Sequence, residues 1–228
     1  MYGLSSGSRI APNTNDWILK NPILLSIFLS MKLMNLPLII TILTILSNSF
    51  NNIKNISDDY KLPFTPAPLT FSIWGGIYGM LIYCTYKYPE QFNNIMLPYA
   101  ISAVLNALWI QVWGKNELIS SIILVALASI LIYILSKLNS VDNIIRITFT
   151  IYATWTVIAS LLNISILLKK YVSVNILKYI VLAILTVVPF LIKNIYMSMV
   201  IIWASLGITI NDNIFLVPII SQIISQLL

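Results

Sequence analysis

The chain has 228 residues, 59% of them hydrophobic and only 9% charged, with a formal net charge of +6 and a mean hydropathy of +0.91. A soluble domain is nearer half apolar and a quarter charged, so the excess apolar surface needs lipid as its solvent, and the composition predicts an integral membrane protein. The cations lie scattered in the joints between apolar runs, which fits membrane flanks and excludes a nucleic-acid surface, while the absence of histidine excludes His-ligated metal, axial-His haem and imidazole base chemistry.

Residues 1–33 form an N-terminal segment. Within it "PILLSIFLSM" (22–31) is closed by Lys32 and reads as an interfacial helix or the start of a long tilted span. No small-residue cleavage site follows, so it is not a clean signal peptide. The first clear span is 34–50, since a bilayer core of about 30 Å needs roughly 20 apolar residues. The longest polar link follows at 51–69, with a formal glycosylation sequon, Asn55-Ile-Ser57, and then Pro63, Pro66 and Pro68. Each proline fixes φ and disfavours helix at the residue before it. The link therefore ends in a stiff, non-helical lead-in, a segment able to serve as a lid at small entropic cost. Further spans are expected at 70–86, 95–113, 118–136, 147–168, 176–192, 195–210 and 214–228. The last is short enough to cross imperfectly or to lie on the surface. The expected fold class is all-α, a polytopic membrane bundle of seven or eight helices.

The span interiors carry no Asp, Glu, Lys or Arg. That argues against an ion-driven pump or a channel for charged substrates, and it leaves apolar ligands open. Loop charges do not orient the bundle. With alternating spans, one side collects Arg9, Lys20, Lys32, Lys87, Lys137, Arg146 and Lys193, and the other collects Lys54, Lys61, Lys115, Lys169, Lys170 and Lys178. Cys84, the sole cysteine, excludes an internal disulfide and reads as a small packing residue.

Three spans carry large aromatics at helical spacing. Phe71, Trp74 and Tyr78 step by three and four residues, as do Asn106, Trp109 and Trp113. Tyr152, Trp155, Ala159 and Asn163 form a third such face. An amide facing lipid is costly, so Asn106 and Asn163 are expected to point into the bundle and to bring their neighbouring rings with them. Such faces enclose either an aromatic cavity with sparse polar anchors or a packed core in which each Asn only joins helices.

These residues resemble a known family. "KLPFTPAPLTFSIWGGIYGM" (61–80) is similar to the Lys-Pro-x-Phe-x-Pro-Pro…Phe…Trp…Tyr signature of the TspO/MBR family, the translocator proteins and tryptophan-rich sensory proteins. The matching positions are Lys61, Pro63, Phe64, Pro66, Pro68, Phe71, Trp74 and Tyr78. "VLNALW" (104–109) resembles that family's Leu-Asn-x-x-Trp, and Trp155, Ala159, Leu162 and Asn163 resemble its Trp-x-x-x-Ala-x-x-Leu-Asn. The resemblance covers about residues 34–168. "MVIIWASLGI" (199–208) is similar to a run of a longer branch with additional C-terminal helices.

The resemblance implies a five-helix bundle over 34–168, with residues 169–228 as additional membrane helices. It also implies a cavity for tetrapyrroles or sterols beneath the proline-rich loop. On that basis the expected ligand-binding residues are Pro66, Phe71, Trp74, Tyr78, Asn106, Trp109, Trp113, Tyr152, Trp155 and Asn163. The implied function is binding a hydrophobic planar small molecule for transport or sensing, with no catalytic residue, metal or required cofactor. The implied partners are the bilayer and that ligand, with a homodimer or membrane complex left open. Two other readings stand beside it. One is a structural or assembly subunit whose aromatics only pack helices. The other is a porphyrin-degrading enzyme, for which the spans offer no carboxylate, His or metal cluster.

Overall fold

The structure is a computed structural model that describes residues 23, 35–49, 62–138 and 144–227. Apart from Ile23, the expected interfacial helix at 22–31 lies outside the described residues. So do Lys61 and the 51–60 part of the polar link, with its sequon. From Pro37 onward the chain forms one compact unit. Among the described residues it is all-α, with eight α-helices: α1 Leu36–Ser49, α2 Ile73–Lys87, α3 Met96–Val112, α4 Glu117–Lys137, α5 Ile144–Leu168, α6 Val174–Leu191, α7 Ile195–Thr209 and α8 Leu216–Leu227.

Helix ends follow local chemistry. Pro37, Pro98 and Pro218 sit in the first turns of α1, α3 and α8. The N–H groups there have no intrahelical acceptor, so a missing donor costs little. Asn116 starts α4 by accepting the Ile119 N–H at 2.9 Å. Asn194 starts α7 by accepting from Tyr196 and Met197. Gly114, with φ 79°, makes the left-handed turn between α3 and α4. At the other end of α4, the Arg146 guanidinium donates to the Leu138 carbonyl just past the helix and to the Leu135 carbonyl, which also takes the Leu138 N–H.

Two expected spans shift at the site. The span read as 70–86 begins as a 3-10 turn, Pro68–Ser72, and becomes α-helix only at Ile73. Ala67, held between two prolines, is extended (ψ 151°), so the chain enters the helix through a tighter turn. Phe71 therefore sits in the lead-in and not on α2. The span read as 95–113 ends at Val112, and Trp113 is already extended (ψ 130°) ahead of the Gly114 turn.

Helix α5 is central. It packs against α2, α4 and α7, and α4 in turn packs against α3. Helix α8 lies against α6 and α7. Its polarity is inverted relative to a helix in water: Ser221, Gln222 and Ser225 are buried, while Ile220, Ile223, Ile224 and Leu227 face outward. The buried face is glued by hydrogen bonds. The Ser221 hydroxyl donates to the Thr186 carbonyl (2.7 Å), and the Gln222 amide to the Leu185 carbonyl (3.0 Å). The Gln226 amide donates to the Ser198 hydroxyl (3.1 Å). Small polar side chains that let helices approach closely are the usual device for joining helices in lipid.

Candidate functional site

The site is a wall of rings where the lead-in, α2, α3 and α5 meet. Trp74 of α2 packs on Tyr78 (ring centroids 5.7 Å apart), on Trp109 of α3 (5.8 Å) and edge-on against Tyr152 of α5 (5.8 Å). Trp109 stacks on Trp113 at 5.3 Å. Phe71 closes the wall against Trp113 (6.3 Å) and edge-on against Trp155 (5.9 Å). The offset and edge-to-face geometries are those the ring quadrupole favours.

Behind the wall lies a polar hub. Asn106, fully buried, accepts from the Tyr78 hydroxyl (3.0 Å) and from the Asn48 amide of α1, and donates to the Tyr152 hydroxyl (2.7 Å). Four helices thus meet on one side chain. Asn163 also points inward, as expected for an amide, but its partners are on α4. It accepts from Ser120 (3.2 Å) and donates to Ser121 (2.8 Å). Its amide is spent on joining α4 to α5.

Two spaces flank the wall. On the α5 side is a void of about 40 Å³, roofed by Thr65 and Pro66 and bordered by Trp109, Trp155, Ala159 and Asn163. On the α1 side is a groove of about 220 Å³ that includes Asn48, Gly75, Tyr78 and Ile110. Phe71, Trp74, Trp109 and Trp113 border both. The three aromatic faces therefore converge, but they do not surround a single ligand-sized cavity. The rings fill most of the space between the helices themselves. Of the expected site residues, Asn106 and Tyr152 border neither space and serve the hub instead. Pro66, Phe71, Trp74, Tyr78, Trp109, Trp113, Trp155 and Asn163 border one or both.

Among the described residues, three polar atoms at this wall are buried without a hydrogen-bond partner: the indole N–H groups of Trp109 and Trp155, and Oδ1 of Asn48. Buried polar groups are nearly always paired, because leaving one bare costs about 1–3 kcal/mol. The two indoles border the void and Asn48 borders the groove. Sequence reading missed Asn48, although its signal was present: Thr41, Thr44 and Asn48 recur at helical spacing in an otherwise apolar run. Thr41 lies on the same α1 face and hydrogen-bonds the Tyr99 hydroxyl of α3 (2.6 Å).

The roof is held from the C-terminal half of the chain. The Ala67 N–H donates to the Gly207 carbonyl of α7 (2.9 Å), and the Trp203 indole donates to the Thr70 carbonyl (2.9 Å). The Asn211 amide donates to the Thr65 carbonyl (2.9 Å). Phe64 and Phe215, both fully buried, stack at 6.3 Å. Among the described residues no cluster of His, Cys, Asp and Glu could hold a metal ion.

No curated protein and no solved structure gives a match to the chain. A family comparison does: the profile of the TSPO-like proteins matches residues 27–228, so the match continues through α6, α7 and α8. Four helical stretches, Pro89–Val112, Glu117–Lys137, Ile144–Leu168 and Val174–Leu191, are long and apolar enough to cross a bilayer. The chain is an integral, multi-pass membrane protein and belongs to the TSPO-like protein family.

Proposed function

We propose that this protein binds a flat hydrophobic small molecule, of tetrapyrrole or sterol type, at the aromatic wall, and carries or senses it within the membrane without catalysis or a required cofactor. The observation that carries this reading is the pair of unpartnered indole N–H groups, Trp109 and Trp155, beside a void under the proline roof. Unpaired donors on apolar walls favour a ligand that brings an oxygen acceptor and a π-face. The void of about 40 Å³ is far below the roughly 300–1,000 Å³ of drug-sized sites. Binding a ring of that size therefore requires Phe71 and Trp113 to part, joining the void to the groove.

A second reading draws on the ring contacts themselves. Centroid spacings of 5.3–6.3 Å are those of packed aromatics, as expected of a structural subunit whose rings only join helices. Titration of the purified protein with protoporphyrin IX, and separately with a fluorescent sterol, separates the two. The binding reading expects saturable quenching of tryptophan fluorescence. Trp109→Ala and Trp155→Ala should each weaken binding by about 0.5–1.5 kcal/mol or more, roughly 2–13-fold, whereas Lys87→Ala at the far end of α2 should leave it unchanged. Equal effects from all three substitutions, or quenching that never saturates, would leave the structural reading standing.

A further inference from the structure

Resting on that binding reading, we infer that the last turn of α7 and the turn after it form a latch on the pocket, with Gly207, Trp203 and Asn211 as the positioning residues that hold the proline lead-in shut.

The argument begins with backbone accounting. Pro66 and Pro68 have no N–H, so between residues 66 and 68 only Ala67 can donate. Gly207 lies in the last turn of α7, where carbonyls have no intrahelical donor. The 2.9 Å bond from Ala67 to Gly207 satisfies both leftovers at once. The approach it needs is close. A Cβ on Gly207 would lie 1.9 Å from the Thr70 hydroxyl oxygen and 2.8 Å from its Cβ, so nothing larger than glycine fits without moving the lead-in. The Trp203 indole, one turn earlier on α7, takes the Thr70 carbonyl, and the Asn211 amide takes the Thr65 carbonyl. Three donor–acceptor pairs thus tie residues 65–70 to α7 and its following turn. The ion pair of Lys178 with Asp212 (3.0 Å) anchors that turn to α6 in its own right.

The tied residues are those that close the void. Thr65 and Pro66 roof it, and Phe71 stands in its wall one residue past Thr70. Any molecule reaching the indole donors from the loop side must displace this segment. The latch residues touch no part of the void, so they set access and leave the contacts to a bound molecule alone.

Hydrogen exchange in detergent or nanodiscs tests the latch directly. Asn211→Ala, at an exposed position, and Trp203→Phe, which keeps the ring, should each speed amide exchange in peptides covering 62–72 by about 2–13-fold, the equivalent of one hydrogen bond. Gly207→Ala should speed it by about tenfold or more, since the added methyl cannot be accommodated in place. Peptides from the middle of α5 should be unaffected in all three. With protoporphyrin IX as probe, association and dissociation rates should rise together in Asn211→Ala, while Kd changes less than either. Unchanged exchange over 62–72 in both Asn211→Ala and Trp203→Phe overturns the latch, as does acceleration spread equally through α5. Should protoporphyrin IX fail to quench the unmodified protein, the binding reading falls with that probe, and the exchange arm alone decides the latch.

Discussion

The aromatic wall between α2, α3 and α5 and the seam between α6, α7 and α8 solve one problem in opposite ways. Both join helices in a solvent that gives apolar surfaces no reason to associate. The seam uses small hydroxyls and amides. Ser221, Gln222 and Gln226 reach backbone or side-chain oxygens on neighbouring helices, and the apolar face of α8 is left outward. The wall uses large rings, and rings of that size do not tile. Gaps remain on both sides, and among the described residues three of those that border them each keep one buried polar atom bare. Directional short bonds fix one arrangement. Ring pairs accept more than one favourable geometry, offset-stacked or edge-to-face, and the wall already holds both, so it can re-pack around an added ring.

The contrast is broken most severely at the hub behind the wall. Asn106→Leu would remove bonds to α1, α2 and α5 together and strand the Tyr152 hydroxyl, while the Tyr78 hydroxyl keeps only the Asn48 amide. A loss of about 2–4 kcal/mol is expected, from roughly 0.6 kcal/mol per interhelical bond plus the cost of bare buried groups. Reversible unfolding in mixed detergent would measure it. A loss no larger than that of a single bond would mean that the hub is not shared as described.

In the seam the expected effect is smaller. Ser221→Ala deletes one hydroxyl donor to the Thr186 carbonyl, and should cost about 0.6 kcal/mol and at most about 1.7. The same unfolding assay applies, and a loss as large as that of Asn106→Leu would erase the distinction between distributed glue and a single hub.

The smallest effect is expected at the bare donor itself. Trp155→Phe removes an N–H that has no partner, so stability should stay within about 1 kcal/mol, with lost ring area offset by relief of an unpaired buried group. Porphyrin quenching, in contrast, should weaken. A large loss of stability with unchanged quenching would show that the N–H serves the fold and not a ligand.

Much of this was legible in the residues. The apolar runs located the helices from α1 to α8 because lipid enforces an apolar composition, although only the stretches of α3 to α6 are also long enough to cross a bilayer. The three aromatic stripes were visible because a period of three and four survives any packing. What the stripes could not reveal was how far apart the helices stand, since the same spacing serves a cavity and a solid wall. Phe71 and Trp113 were read as helical and lie just outside their helices. Pro68 tightens one end and Gly114 turns the other, and the two rings still meet, at 6.3 Å. Asn163 looked equivalent to Asn106. Its real partners, Ser120 and Ser121, lie near the start of α4, which carries none of the motifs. The pairing of Trp203 and Gly207 with the proline lead-in was beyond reach, because nothing local in either stretch names the other.

That last pairing spans 133 residues between Trp203 and Thr70. At a synthesis rate of about 5–20 residues per second, α7 emerges roughly 7–27 s after the segment it fastens. Trp155, on α5, is made before α7 as well. During translation there is thus an interval in which the rings and their bare donors have been made but nothing yet holds the roof. The order of synthesis leaves the site open first and closes it last.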